Sequence, residues 1–258
     1  MPNQSKDSTF THMISQKSYF DNAYSGQNSA KIEKWRVAYL QRVYRSLDIK
    51  PNDMYLDIGC GGLGYIVIEV ANSKQCYSVG VDISSAGARQ AASIYKKRFE
   101  KYSTCEFVAC SATHLPFRDA SFSKITLIMV LEHVPNDKLV ISEIGRICQN
   151  NGKVLVTVPN SYSRCLPVLT LAKIKADKAV GHLRSYKAED LLEVSTQMGF
   201  VLKSLEYHAH FIKAIQSLLQ RFPLSIETDN LWWVLEKLDY GIRNIPTGSA
   251  FTVVLVKR

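Results

Sequence analysis

Three glycines, Gly59, Gly61 and Gly64, take up the spacing G-x-G-x-x-G in the stretch YLDIGCGGLG at residues 55–64. Glycines so placed allow a tight turn and let backbone approach a bound nucleotide closely. Asp82 lies near the end of the apolar run YSVGVDI, where a carboxylate can accept hydrogen bonds from two ribose hydroxyls. Both features suit a nicotinamide dinucleotide. Asp57 argues against one: two residues before the first glycine, its charge would repel a pyrophosphate, whereas it suits a cationic ammonium or sulfonium ligand, directly or through water. Histidines supply the acid–base chemistry. His133, in LEHV, is expected just past a strand, and His182, in GHLRSY, in a loop ahead of a helix; each is a candidate general base. His12, His208 and His210 read as surface or structural groups and His114 as a packing residue. Glu132 beside His133 gives two adjacent ligand types with no spaced partner, so no metal is predicted.

The elements that must hold these residues alternate along the chain. KIEKWRVAYLQRVYRSL sets Ile32, Trp35, Tyr39 and Val43 at helical spacing, and Pro51-Asn52-Asp53 turns the chain before the apolar run at 55–58. Strands are predicted at YSVGVDI, CEFVAC, ITLIMV, GKVLVTVP, FVLKSLEYH and SAFTVVLVKR. Helices are predicted at YIVIEVANS, at SSAGARQAASIYKKRFEK opened by Ser84 or Ser85, at NDKLVISEIGRICQ and at KAEDLLEVSTQMG. The alternation implies a mostly parallel sheet with helices on both faces and ligands beyond the carboxyl ends of its strands.

A chain of 258 residues, 46% of them hydrophobic, can bury the core of one large domain. The net charge of +9 favours anionic partners, yet the lysines and arginines are dispersed, so nucleic acid is admitted without being indicated. The first twenty residues are polar and lack the apolar run of a signal peptide. No later stretch reaches the roughly 18 uncharged residues of a membrane span, so membrane contact is expected to be peripheral at most. The six cysteines form no C-x-x-C pair and read as reduced thiols of a cytoplasmic protein. The sequence assigns no oligomeric state.

LDIGCGGLG, GVDIS, ATHLPFRDASF, VLEHV and GKVLVTVPN resemble, in order and spacing, the class I S-adenosylmethionine-dependent methyltransferases, above all the branch of ubiquinone-biosynthesis O-methyltransferases and the type 11 group. The resemblance implies an α/β, Rossmann-like fold: a seven-stranded, mostly parallel sheet with an antiparallel last strand beside the fifth, helices on both faces, and a helical insertion, 211–248, between the last two strands. Residues 51–258 would form the methyltransferase domain and 1–50 an N-terminal helical cap. The implied cofactor is S-adenosyl-L-methionine, with Asp57 near the sulfonium, Gly59, Cys60 and Gly61 around the methionine part, Asp82 on the ribose and Ile83 against the adenine. Ser111 stands where many relatives have an acidic residue for the adenine amino group; its hydroxyl and the backbone at Ala112 and Thr113 can take over. Ile128 and Met129 replace small or polar residues above the cofactor and would make an apolar pocket floor, although a place in the strand core is the simpler reading. TVPN follows the fifth strand rather than the fourth, so it is not the N-P-P-Y signature of amino-group methylation.

The implied function is methyl transfer to a hydroxyl of a small or amphiphilic metabolite, such as a quinone precursor, a lipid or a saccharide, with His133 or else His182 removing the proton. An RNA methyltransferase, suggested by the charge but lacking an RNA-binding module, is one alternative. A non-catalytic S-adenosylmethionine-binding protein is another, opposed by the intact Asp57 and Asp82. In 211–248 a helical apolar stripe and the pair Trp232 and Trp233, near Lys237 and Arg243, suit packing, or a lid over an amphiphilic acceptor.

Overall fold

A computed structural model of the chain describes residues 4–24, 42–98, 105–164, 180–210 and 241–258, with 170, 173, 174, 177, 178 and 238. The expected insertion, including Trp232 and Trp233, lies largely outside the described residues, as does most of the helix expected at 31–47, of which 42–47 are helical.

Seven strands form one sheet: β1 (Met54–Ile58), β2 (Tyr77–Asp82), β3 (Cys105–Ala109), β4 (Phe122–Ile128), β5 (Cys148–Pro159), β6 (Phe200–His208) and β7 (Ala250–Lys257), in the order β3-β2-β1-β4-β5-β7-β6. β1 to β5 pair in parallel, while β7 lies antiparallel between β5 and β6. This is the sheet the sequence implies. The fifth strand begins earlier than GKVLVTVP, at Cys148.

The strands are apolar on both faces because both faces are covered. Strand parity sorts them into two cores. Leu56, Ile58, Ile125, Leu127, Val154, Val156, Val253 and Leu255 point one way, into a cluster with Val140, Ile141 and Ile144 of α4 (Asp137–Ile147) and Leu191 of α5 (Ala188–Gln197). Tyr55, Leu155 and Val254 point the other way, to Ile66 and Val70 of α2 (Tyr65–Lys74) and to Val43 and Leu47. Each of these helices carries its apolar side chains at three- and four-residue spacing, as burial of one stripe requires. α3 (Ser85–Arg98) opens at Ser85, with Ser84 Oγ accepting the Gly87 N–H at 2.9 Å.

After β1 the chain builds β2 and β3 on one side, then crosses back to place β4 on the other. Its switch point is thus between β1 and β4, where the loops after β1, β2, β3 and β4 converge. Within 1–50, expected to be helical, much of the polar leader forms α1 (Gln4–Tyr24), a 21-residue helix that no apolar periodicity marked in the sequence. Among the described residues no helix is long and apolar enough to cross a membrane.

Parity makes the core testable. Ile125 is fully buried, and Ile125→Ala should cost about 2–5 kcal/mol in urea unfolding. Leu202→Ala, at an exposed position of β6, should stay within about 0.5 kcal/mol.

Candidate active site

The turn after β1 is fixed from both sides. The Gly59 and Cys60 N–H groups both donate to Val81 O, at 2.7 and 3.0 Å, which holds the turn against the end of β2. Gly59 has φ +78°, and a Cβ built there would lie 2.2 Å from Val130 Cγ2, so the position excludes any side chain. Gly61 N–H donates to Asp82 Oδ2 at 2.9 Å, and Ser84 N–H to Asp82 Oδ1 at 2.8 Å. Burial raises the Asp82 carboxyl, and these two backbone donors draw it back down. A carboxylate has about four acceptor positions, so Asp82 retains capacity for further donors.

Beyond these strand ends lies a cavity. Of the residues singled out from the sequence, Gly59, Asp82, Ile83, Ser111, Ala112 and His133 line it. Asp57, Cys60, Gly61, Thr113, Ile128 and His182 do not, each for a local reason. Asp57 is buried on the α2 face of β1, where Thr126 Oγ1 donates to its Oδ1 at 2.6 Å, and burial pushes its carboxyl up to about 7. The Cys60 side chain packs with Val67, Ile68 and Ala71, and burial raises its thiol. Gly61 sits under Tyr24, and Thr113 is bonded to Ser111 Oγ and His114 Nδ1 at 2.8 and 2.9 Å. Ile128 corrects the expected pocket floor: its parity is that of Leu155 and Val254, so it packs on the α2 side. Met129, held at φ +55°, lines the cavity instead.

The roof comes from α1, whose place over the site the sequence reading did not assign. Gln16, Phe20 and Tyr24 line the cavity at spacing i, i+4, i+8. That stripe is visible in the sequence, but the surrounding polar residues hide it from a search for apolar runs. Asp21 pins the helix across the site: its Oδ1 accepts Ser84 Oγ at 2.5 Å and Ala86 N–H at 3.0 Å, at the N-terminus of α3. Hydrogen bonds from Lys17 and Ser84 lower the Asp21 carboxyl to about 2. Burial, and then the Asp82 charge, raise the Tyr24 hydroxyl.

Opposite the glycine turn, Leu131–His133 forms a single 3-10 turn. Its Glu132 O accepts the Leu183 N–H at 2.8 Å, while Arg184 reaches Pro135 O and Asp137 Oδ2, both at 2.8 Å. These bonds bring the 181–186 segment against the end of β4 and place the His182 ring 4.7 Å from that of His133, edge to face. Phe20 packs edge-on against His133 at 5.6 Å. Glu132 is fully buried, and burial pushes its carboxyl up to about 7. Behind His182 stands Asp177, with Oδ1 3.2 Å from His182 Nδ1 in an ion-pair approach rather than an aligned hydrogen bond. Burial alone would raise the Asp177 carboxyl, yet His182, Lys173 and Tyr162 hold it below the usual carboxylate range, the last two donating at 2.6 and 2.8 Å. Asp177 and Lys173 carry no motif in the sequence.

Residues 56–156 match the family described as a methyltransferase domain. The 27-O-demethylrifamycin SV methyltransferase of Amycolatopsis mediterranei is 27% identical over 75% of this chain and 64% of its own length. The demethylmenaquinone methyltransferase of Bacillus cereus is 28% identical over 51% of this chain and 55% of its own. The chain thus spans less than two thirds of the length of these curated relatives. In fold it is similar to the [4+2]-cyclase SpnF, with TM-score 0.62, 20% identity and coverage of 85% and 80% of the two chains. It is also similar to phosphoethanolamine N-methyltransferase 2 of Haemonchus contortus in complex with S-adenosyl-L-methionine, with TM-score 0.62, 18% identity and coverage of 85% and 52%.

The Asp21 contacts predict how the roof responds to mutation and acid. Asp21→Ala should loosen α1 by about 0.5–2 kcal/mol, read as faster amide exchange in residues 14–24. Because the folded carboxyl lies below its unfolded value, its contribution is full above pH about 4 and is lost as the pH falls toward 2. Exchange in the unaltered chain should therefore approach that of the variant in acid.

Proposed function

Because this chain carries a class I S-adenosylmethionine-dependent methyltransferase domain, we propose that it transfers a methyl group to a hydroxyl of a small or amphiphilic metabolite. One observation carries the reading: Gly59, Asp82, Ile83, Ser111 and Ala112, from the loops after β1, β2 and β3, meet His133, from the loop after β4, across one cavity. The residues fit the cofactor. Gly59 brings bare backbone to the cavity wall, Asp82 keeps acceptor positions for ribose hydroxyls, and Ile83 and Ala112 offer apolar contact for a purine ring. The name of one curated relative contains an O-demethylated compound, which favours a hydroxyl as the acceptor, and that of the other a quinone, which favours an apolar ring framework.

The cofactor, when bound, supplies an electrophilic methyl group on a sulfonium. The chain's own residues supply position and a proton acceptor. α1 closes the cavity with Phe20 and Tyr24 and excludes water, which strengthens the electrostatic interactions inside. His133 faces the cavity and takes the hydroxyl proton at an imidazole nitrogen as the new bond forms, so that the nucleophile carries more negative charge. His182, edge-on to His133 and backed by Asp177, fixes that ring and is the alternate base.

Calorimetry and turnover test the assignment. Asp82→Ala, checked for folding by circular dichroism, should weaken S-adenosylmethionine binding about tenfold or more. His133→Ala should lower kcat on a hydroquinone or O-demethylated acceptor by roughly 10²–10⁴ and hardly change cofactor affinity. Binding of NAD with no response to S-adenosylmethionine would overturn the reading.

A further inference from the structure

We propose that Glu132, His133 and His182 form a binding site for one divalent transition-metal cation at the wall of the cavity. Each offers one ligand atom, and the three atoms lie within 4.8 Å of one another. His182 Nε2 already faces Glu132 Oε1 at 3.8 Å. Ligands about 2.0–2.2 Å from a common ion stand at most about 4.4 Å apart, so a small side-chain rotation would bring the widest pair into range. A sequence search for spaced ligands misses the set because His182 lies far along the chain from its partners and is delivered by the bonds of Leu183 and Arg184.

Glu132 gives an independent reason. It is fully buried, and neither of its carboxylate oxygens accepts a hydrogen bond from another described residue. Buried polar groups are nearly always satisfied, and a carboxylate left without a donor is costly. Lys173, the nearby buried cation among the described residues, is already engaged at 2.6 Å by Asp177. A cation between Glu132 and the two imidazoles would meet the unmet oxygens.

The surroundings are those of a ligand set. Asp177 Oδ1 stands at His182 Nδ1, leaving Nε2 directed toward Glu132, and Lys173 and Tyr162 hold Asp177 in turn. A carboxylate behind a ligating histidine fixes the ring and raises its basicity. One carboxylate and two imidazoles suit zinc, manganese or iron(II) rather than calcium or magnesium, which prefer all-oxygen sets. Three protein ligands leave a coordination position for an oxygen from the cavity, which His133 borders. An oxygen so bound gives up its proton more readily. That role in catalysis rests on the methyl-transfer reading and puts proton loss from an ion-bound oxygen in place of direct removal by His133; the binding itself does not rest on it.

Chelator-stripped full chain, titrated with Zn²⁺ by calorimetry and with Co²⁺ by visible absorption, tests the proposal. The expected result is one equivalent bound, with Glu132→Gln and His182→Ala each weakening affinity at least tenfold. Glu132→Gln keeps the buried volume and removes only the charge, so it remains informative if His182→Ala unfolds. Absence of stoichiometric binding, or affinity unchanged in Glu132→Gln, would overturn the site. S-adenosylhomocysteine titrated into the same samples separates the two ideas. Its binding without cation binding sinks the metal site alone, and cation binding without it sinks the methyl-transfer reading alone.

Discussion

The Asp82 carboxylate is the joint on which the rest of the site hangs. One oxygen holds the Gly61 N–H and the other the Ser84 N–H, so a single side chain links the turn after β1 to the start of α3. Ser84 extends the link, accepting from Gly87 and donating to Asp21, and through Asp21 the chain of bonds reaches α1. Turn, helix start and roof are therefore positioned by one continuous run of hydrogen bonds, of which those accepted by Asp82 and Asp21 are charge-assisted and stronger than a neutral pair. Asp82 ends β2, an interior strand, in a buried position where such bonds are little screened.

Buried charge is handled in two ways. Asp177 is held ionised by donors on several sides, with Lys173, Tyr162 and His182 around it. Asp57 and Glu132 have fewer donors, and burial lifts both carboxyls to about 7. Such placements cost stability, because apolar residues of similar size would pack the same volume without a desolvation penalty. Glu132 and Asp177 both stand at His182, beside the His133 that lines the cavity, the pattern expected where chemistry, rather than stability, fixes residue identity.

The sheet was readable because parallel strands buried on both faces must be near-continuous apolar runs, and each was bounded by glycine or turn residues. The glycine turn and the position of Asp82 beside it were readable because a turn with positive φ requires glycine and because Asp82 closes an apolar strand run. Of the two readings of Ile128, pocket floor or strand core, the core holds, because a single-step difference in parity turns a strand residue to the opposite face, and β4 ends at Met129 with positive φ. A helical segment was expected within 1–50, but the contact of α1 with the cavity was not legible, because its cavity-facing residues are a polar amide, a phenylalanine and a tyrosine on an otherwise polar helix. The His133–His182 pairing depends on long-range ties to Leu183 and Arg184, which no local spacing records.

The roof also has a temporal side. Tyr24 lies over Gly61 and Gly62 while Phe20 lies against His133, so a single helix covers opposite ends of the cavity. A ligand entering past these two contacts would exchange no faster than α1 lifts, which ties its residence in part to the protein's own motion. Since Asp21 meets the positive end of α3 at a partly exposed position, added electrolyte weakens that attachment and shortens the dwell.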